Sequence, residues 1–283
     1  MYFTIRSLKQ DDLIEADQLR AELGWNQTIS DWQRLLALAP EGCFAAERNG
    51  RLVGTCTGMI FREELAWIGM MIVHPSHRGQ GIGGALLRHC IDYLQQRRVR
   101  CIKLDATPMG KPVYSHIGFL PEGTLTRWER HGSAFDVKPP AGNVQTLADR
   151  HWPAVLALDS RFSGVVRNSL LQALTAASRR ALVYEEHGSV LAFGMLRSGA
   201  LADYLGPVAA LPEIGERLVR SLLAGQDDRI IFWDVPDLNE RASRLAVQLG
   251  FTPARTLTRM FLGHNLIPTD LQGCWGSSDP AIG

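Results

Sequence analysis

No sign of charge dominates this chain: 30 Lys and Arg against 29 Asp and Glu leave a formal net charge of +1. That is too little for a global field that would gather nucleic acid or an anionic membrane. Organised cysteine is missing too. The five cysteines (Cys43, Cys56, Cys90, Cys101, Cys274) are scattered, with no C-x-x-C pair. Neither a disulfide framework nor a zinc site is indicated, no metal is expected, and a reducing cytoplasm fits best. Long apolar runs are absent as well. The longest, LAWIGMMIV at Leu65–Val73, falls far short of the roughly 20 residues that span a bilayer, and the opening MYFTIRSLKQDD lacks the apolar stretch of a signal peptide. The expectation is a soluble cytoplasmic protein with no membrane or nucleic-acid partner. What is present is ordinary globular material, 46% hydrophobic and 21% charged over 283 residues, a length that suits two domains.

One plan occurs twice along the chain. TIRSLKQDD at Thr4–Asp12 has a counterpart in NVQTLADRH at Asn143–His151. RLVGTCTGM at Arg51–Met59 returns in outline as SVLAFGMLR, and KPVYSHIGF, ending at Phe119, as RLAVQLGF, ending at Phe251. The offset shrinks from 139 residues between Ile5 and Val144 to 132 between Gly118 and Gly250, as a duplication with small deletions would leave it. HGSAFDVKPPAGN, at His131–Asn143, has the Gly, Ser and Pro content of a linker. The expected domains are therefore 1–133 and 143–283, joined by 134–142.

Periodicity gives a mixed picture in the first half. Leu13–Leu23 and Ser30–Leu38 have helical spacing, with Ser30 placed as an N-cap for the second. GCFAAERNGRLVGTCTGMIF reads as a hairpin about RNG, and LAWIGMMIV as a buried strand. A helix from Ile82 to about Arg98 follows, then a strand at CIKLDA. Strand, loop, helix and strand in that order make a crossover unit, hence an α/β fold on a mixed sheet.

The loop in that unit carries the chemistry. A helix start has amides without internal partners and the positive end of a dipole, so it binds phosphate when side chains stand clear. In HPSHRGQGIGG, at His74–Gly84, Gly79, Gly81 and Gly83 clear that space, and Arg78 adds a donor fork suited to a diphosphate. GQGIGG also satisfies G-x-G-x-x-G, with Asp105 ending a strand further on, as a dinucleotide-binding enzyme would want. Against that reading, HPSHR intervenes between Val73 and Gly79, and the segment does not open its domain.

The pattern Arg78-x-x-Gly81-x-Gly83, after a strand ending in IVHP and before an amphipathic helix, resembles the acyl-coenzyme A loop of the GNAT superfamily of N-acetyltransferases. KPVYSHIGF resembles a later element of the same superfamily, and the likeness covers about Thr4 to Arg130. It implies acetyl-CoA as donor, held by Met71, Ile72 and Val73 and by the loop residues Arg78, Gly79, Gln80, Gly81, Ile82, Gly83 and Gly84. The Val73 amide would polarise the thioester carbonyl, and Tyr114 would protonate the departing thiolate. The glutamate that some members use as general base, eleven residues ahead of Arg78, is replaced by Trp67. Glu64 and Asp105 remain as candidates, with Glu63 and His74 nearby and ordered water as a further route. The acceptor site implied by the resemblance would draw on Trp25, Trp32, Trp67 and Trp128. The second half resembles the degenerate GNAT-like domain of tandem acetyltransferases: Glu213, Glu216 and Leu218 stand where Arg78, Gly81 and Gly83 stand in the first half, and Ala246 where Tyr114 stands. The implied activity is N-acetylation of a small-molecule amine by a monomer or homodimer. A non-catalytic acyl-CoA sensor is the alternative. The segment from Gly263 onward reads as a loosely held tail.

Overall fold

The computed structural model describes residues 2–132, 137, 142–226, 228–265 and 272–283, so most of the expected linker lies outside the described residues. The first half runs β1 (Thr4–Ser7), α1 (Leu13–Glu22), α2 (Ile29–Leu38), β2 (Cys43–Arg48), β3 (Arg51–Phe61), β4 (Leu65–Val73), α3 (Ile82–Gln96), β5 (Cys101–Ala106), α4 (Lys111–Ile117) and β6 (Leu120–Arg130). The second repeats the order as β7 (Val144–Thr146), α5 (Trp152–Ser163), α6 (Asn168–Ala176), β8 (Ser178–Glu186), β9 (Ser189–Arg197), β10 (Asp203–Ala210), α7 (Gly215–Leu223), β11 (Ile231–Pro236), α8 (Glu240–Gln248) and β12 (Thr252–Gly263). A short strand, β13 (Cys274–Gly276), follows.

Local chemistry accounts for most of these boundaries. The β2–β3 hairpin turns on Asn49 and Gly50, both at positive φ (53° and 72°), the backbone that a two-residue hairpin needs. Helix α2 is capped two residues before the expected position. Thr28 and Asp31 form its capping box, Thr28 N–H donating to the Asp31 carboxylate at 2.7 Å. Ser30 lies inside the first turn because the Thr28–Asp31 pair satisfies two orphan amides where Ser30 alone would satisfy one.

The strands of both halves join one 13-stranded mixed sheet. Along it β12 of the second half lies between β5 and β6 of the first, and β6 lies between β12 and β11. The halves have thus exchanged their late strands. On one face α1, α2, α5 and α6 share a single core, with Leu35, Trp67, Phe162 and Phe193 in contact clusters that cross between the halves. On the other face α3 covers one core and α7 with α8 another. No helix among the described residues is long and apolar enough to cross a membrane.

The expected loose tail is corrected by this packing. Residues 272–283 are largely buried, with Trp275 at 2% exposure and Ala281 and Ile282 at 6% and 5%. Composition suggested disorder, but backbone hydrogen bonding to β10 and a place in the shared core hold the segment.

Candidate active site

Strands β4 and β5 run parallel but pair only from Leu65–Cys101 to Trp67–Lys103, after which they part. A bulge lies just beyond. The register against β3 shifts at this level, Met70 takes φ 45°, and the Thr55 hydroxyl donates to the Met70 carbonyl at 2.7 Å to pin the kink. Further on, His74 N–H donates to Val53 O at 2.9 Å. The next antiparallel pair, Gly54–Val73, is therefore a non-hydrogen-bonded one. The Val73 amide consequently points away from β3 and into the gap between β4 and β5.

The loop leads from this gap to α3. Gly79 and Gly81 hold φ values of 72° and 82°, and a Cβ built on either meets no atom within 4 Å. The left-handed backbone demands glycine, and the space above it is open. Gly81 is the N-cap of α3 and no side chain caps it, so the amides of Ile82, Gly83 and Gly84 present an uncovered helix start. Gln80 pins the loop, accepting from Arg48 at 2.7 Å and donating to Ser76 O at 3.2 Å. The Arg78 Nε donates to Val73 O at 3.2 Å from an exposed position. Arg88, whose guanidinium lies 3.5 Å from a Cβ built on Gly84, brings a second cation to this turn. The sequence offered only its i+4 spacing from Gly84 as a signal.

Tyr114, on α4, packs against the same core cluster as Met71 and Val73, with its ring 5.9 Å from that of Phe119. Burial, with the Cys56 thiol nearby, pushes its phenol well above the usual value, so it holds its proton throughout the neutral range.

The carboxylate candidates fare differently. Glu64 lies in the turn before β4. Nine residues of extended chain, about 30 Å, separate it from Val73, so it cannot reach a group bound at the gap. Asp105 lies beside the gap, but both its oxygens accept from Arg259 of β12 at 2.9 Å and its side chain is fully buried. Burial pushes its pKa up against the opposing effect of Arg259. With no exposed edge, Asp105 anchors Arg259 and is not a base open to an incoming amine. Glu63 stands at the same distant turn as Glu64, and His74 lies 3.3 Å from Glu22.

Of the four tryptophans, Trp67 lines a cleft. Its neighbours there are Phe61, Phe162, Arg167, Arg259 and the ion pair of Lys103 with Glu122 at 2.6 Å, around a volume of about 380 Å³ that includes open solvent. Trp32 is fully buried in the shared core. Trp25 packs against that core from its edge. Trp128 pairs with Trp233 of β11 and packs on the second-half core, because strand exchange carries β6 away from β5. Lys103 and Arg259 escaped notice in the sequence. Alternation of Lys103 and Asp105 with the apolar residues of CIKLDA was the available sign that one face of β5 is polar.

In the second half, β10 and β11 pair only at Asp203–Ile231 and Tyr204–Phe232 before they too part. Here the chain fills its own gap. β13 pairs with β10 at Val208 and Ala209, and Val208 is the counterpart of Val73. Trp275 lies on Gly215 at the start of α7, where a Cβ would come within 1.9 Å of its ring. Asn239 caps α8 and donates to the carbonyls of Gln272 and Cys274 at 3.0 Å.

Two family models match the chain, the acetyltransferase (GNAT) family over residues 8–119 and an acetyltransferase (GNAT) domain over 155–276. The chain belongs to the GNAT acetyltransferases. This GNAT protein is a tandem of two such domains and an acyltransferase, from a family that typically uses acyl-CoA. It is 23% identical over 223 residues to the uncharacterized N-acetyltransferase YitH of Bacillus subtilis, which covers 77% of this chain and 78% of that one. It is 25% identical over 186 residues to a holothin acyltransferase of Pseudoalteromonas sp., over 65% of this chain and 61% of that one. A putative acetyltransferase from Pyrococcus horikoshii has the same fold over 100% of this chain and 98% of its own, with a TM-score of 0.86 and 22% identity. A tandem GNAT protein from the clavulanic acid biosynthesis pathway matches over 95% of this chain and 100% of its own, with a TM-score of 0.69 and 17% identity.

Proposed function

We propose that the first half transfers the acetyl group of acetyl-CoA to the primary amine of a small molecule, by direct attack in a ternary complex. The observation that carries this reading is the uncapped, glycine-cleared start of α3 beside the gap into which the Val73 amide points. When bound, acetyl-CoA supplies an activated acetyl group: the amine nitrogen bonds to the carbonyl carbon, the C–S bond breaks, and the thiolate leaves with a proton. The loop amides from Arg78 to Gly84 hold the diphosphate, with the guanidinium of Arg78 and that of Arg88 adding charge. The edge of Met71–Val73 aligns the amide-bearing arm as an added strand would, and the Val73 N–H stabilises the developing oxyanion. Tyr114 O–H delivers the proton to sulfur. Glu63 and Glu64 stand at a distant turn and Asp105 is engaged by Arg259, so the ammonium proton leaves through water in the cleft beside Trp67.

The second half takes no donor. Its gap is occupied by β13, and Glu213 and Glu216 would repel a diphosphate at the start of α7. A calorimetric titration with acetyl-CoA tests the whole reading. One site per chain is expected, and Gly81→Asp, which sets a carboxylate against the diphosphate, removes it. Absence of binding by the wild-type chain, or retention of wild-type affinity by Gly81→Asp, overturns the reading.

A further inference from the structure

The segment that follows β13 crosses from the second half onto β4 beside Trp67, where the acetyl-transfer reading brings the acceptor. Ser277 N–H donates to Asp234 O at 2.9 Å. Arg197 donates to the Ser278 carbonyl, and Arg167 donates to the Ser278 hydroxyl at 3.0 Å and to Gly283 O at 2.7 Å. A tight turn follows, in which the Asp279 carboxylate accepts from Ala281 N–H and from the Gln27 side chain at 2.8 Å, and Gly283 N–H returns to Asp279 O at 2.9 Å. This turn lies directly on β4. Trp67 Nε1 donates to Pro280 O at 3.0 Å. A Cβ built on Gly69 would lie 2.0 Å from the Ala281 carbonyl oxygen, so the contact is backbone on backbone and only glycine permits it.

Residues of this turn line two clefts. One is the cleft of Trp67, Lys103, Glu122 and Arg259. The other is a second cleft of about 270 Å³, open solvent included, lined by Asp31, Arg34, Met59, Leu170 and the turn's own Ala281 and Ile282. Trp67 and Gly69 stand two residues apart on the strand that leads to the Val73 amide. Anything that covers them controls what reaches a thioester held at the gap.

We propose that residues 277–283 form a fixed wall of the acceptor site, held in place by the second half, that admits small amines beside Trp67 and excludes an amine carried within an extended peptide. The proposal rests on the acetyl-transfer reading above. It also gives the second half a task. Its cleft between β10 and β11 grips β13, and β13 delivers the wall to β4. The wall is no removable lid, because Ala281 and Ile282 belong to the core that both halves share. Its effect is on selectivity: a peptide lying along β4 would have to pass through the space of Pro280 and Ala281.

Two variants test this, a chain stopped after Gly276 and the milder Ile282→Ala, which opens the wall without removing it. Each is compared with the wild type for acetyl-CoA affinity by calorimetry and for thiol release from acetyl-CoA in the presence of a tripeptide with a central lysine. The expected result is affinity within about threefold of wild type. Peptide-dependent thiol release should rise at least about tenfold in the shortened chain, the lower end of the range over which pocket shape discriminates substrates, and by a smaller factor of about threefold in Ile282→Ala. Release at the wild-type rate by the folded shortened chain, or by Ile282→Ala should the shortened chain fail to fold, overturns the proposal. So does a wild-type chain that already acetylates the peptide as fast as the shortened one. Failure of the wild type to bind acetyl-CoA would instead remove the acetyl-transfer reading.

Discussion

Single residues divide into those whose role follows from their neighbours in sequence and those whose role follows from neighbours in space. Gly81 is of the first kind: a positive φ at a helix N-cap, with open space above it, is what the run RGQGIGG leads one to expect. Tyr114 is similar, since its position four residues before Gly118 places it on α4, where it packs against the same core cluster as Val73. Tyr114→Phe is expected to lower kcat about 10²-fold while leaving acetyl-CoA affinity within a few-fold, measured by steady-state thiol release and calorimetry. Unchanged turnover would take the phenol out of the reaction. Asp105 is of the second kind. Nothing near it in sequence foretold Arg259, which comes from a strand 154 residues away and occupies both carboxylate oxygens. Trp128 is another, carried to the second-half core by a pairing that no local pattern encodes.

Elements were legible wherever a short-range rule governs them. The hairpin at Asn49–Gly50, strand β4 and helix α3 follow from turn chemistry and periodicity, because each depends on residues fewer than five positions apart. The start of α2 shows the limit of such rules. Two hydroxyl residues, Thr28 and Ser30, compete for the cap, and Asp31 decides for Thr28 by closing the box from N3. Thr28→Ala should therefore cost about 1 kcal/mol in urea denaturation, and Ser30→Ala well under half of that. Equal costs would return the cap to Ser30. The gap between β4 and β5 was not legible as geometry. It arises from the bulge at Met70, whose positive φ is imposed by Thr55 and by the packing of both faces.

At the scale of the whole molecule, duplication and exchange together decide how the halves depend on each other. Because β12 completes the first half's sheet and one face of that sheet carries a core common to both, thermal or urea unfolding should show a single transition by near- and far-ultraviolet dichroism alike. Two separated transitions would mean that the halves fold independently. Asp31 adds a pH limb to this transition. Burial pushes its pKa up, but Arg197 of the second half, Arg34 and the Thr28 hydroxyl outweigh burial and hold it below the ordinary carboxylate value. The stability it contributes is therefore full above about pH 4, the ordinary carboxylate value, and is lost as pH falls through the depressed folded value. Asp31→Asn should flatten that acid limb. The sequence by itself determined the repeat, the helices and strands of each half and the glycine-cleared loop before α3, since all of these rest on spacing and on the intrinsic conformations of Gly, Asn, Thr and the apolar residues, whereas the role proposed for Tyr114 came from the family resemblance alone. Only the tertiary structure decided which strand lies beside β5, what partners Asp105, and that residues 273–283 form a strand and a turn packed into the fold. Those outcomes depend on which surfaces from distant parts of the chain exclude water against each other, and distance in sequence carries no record of that.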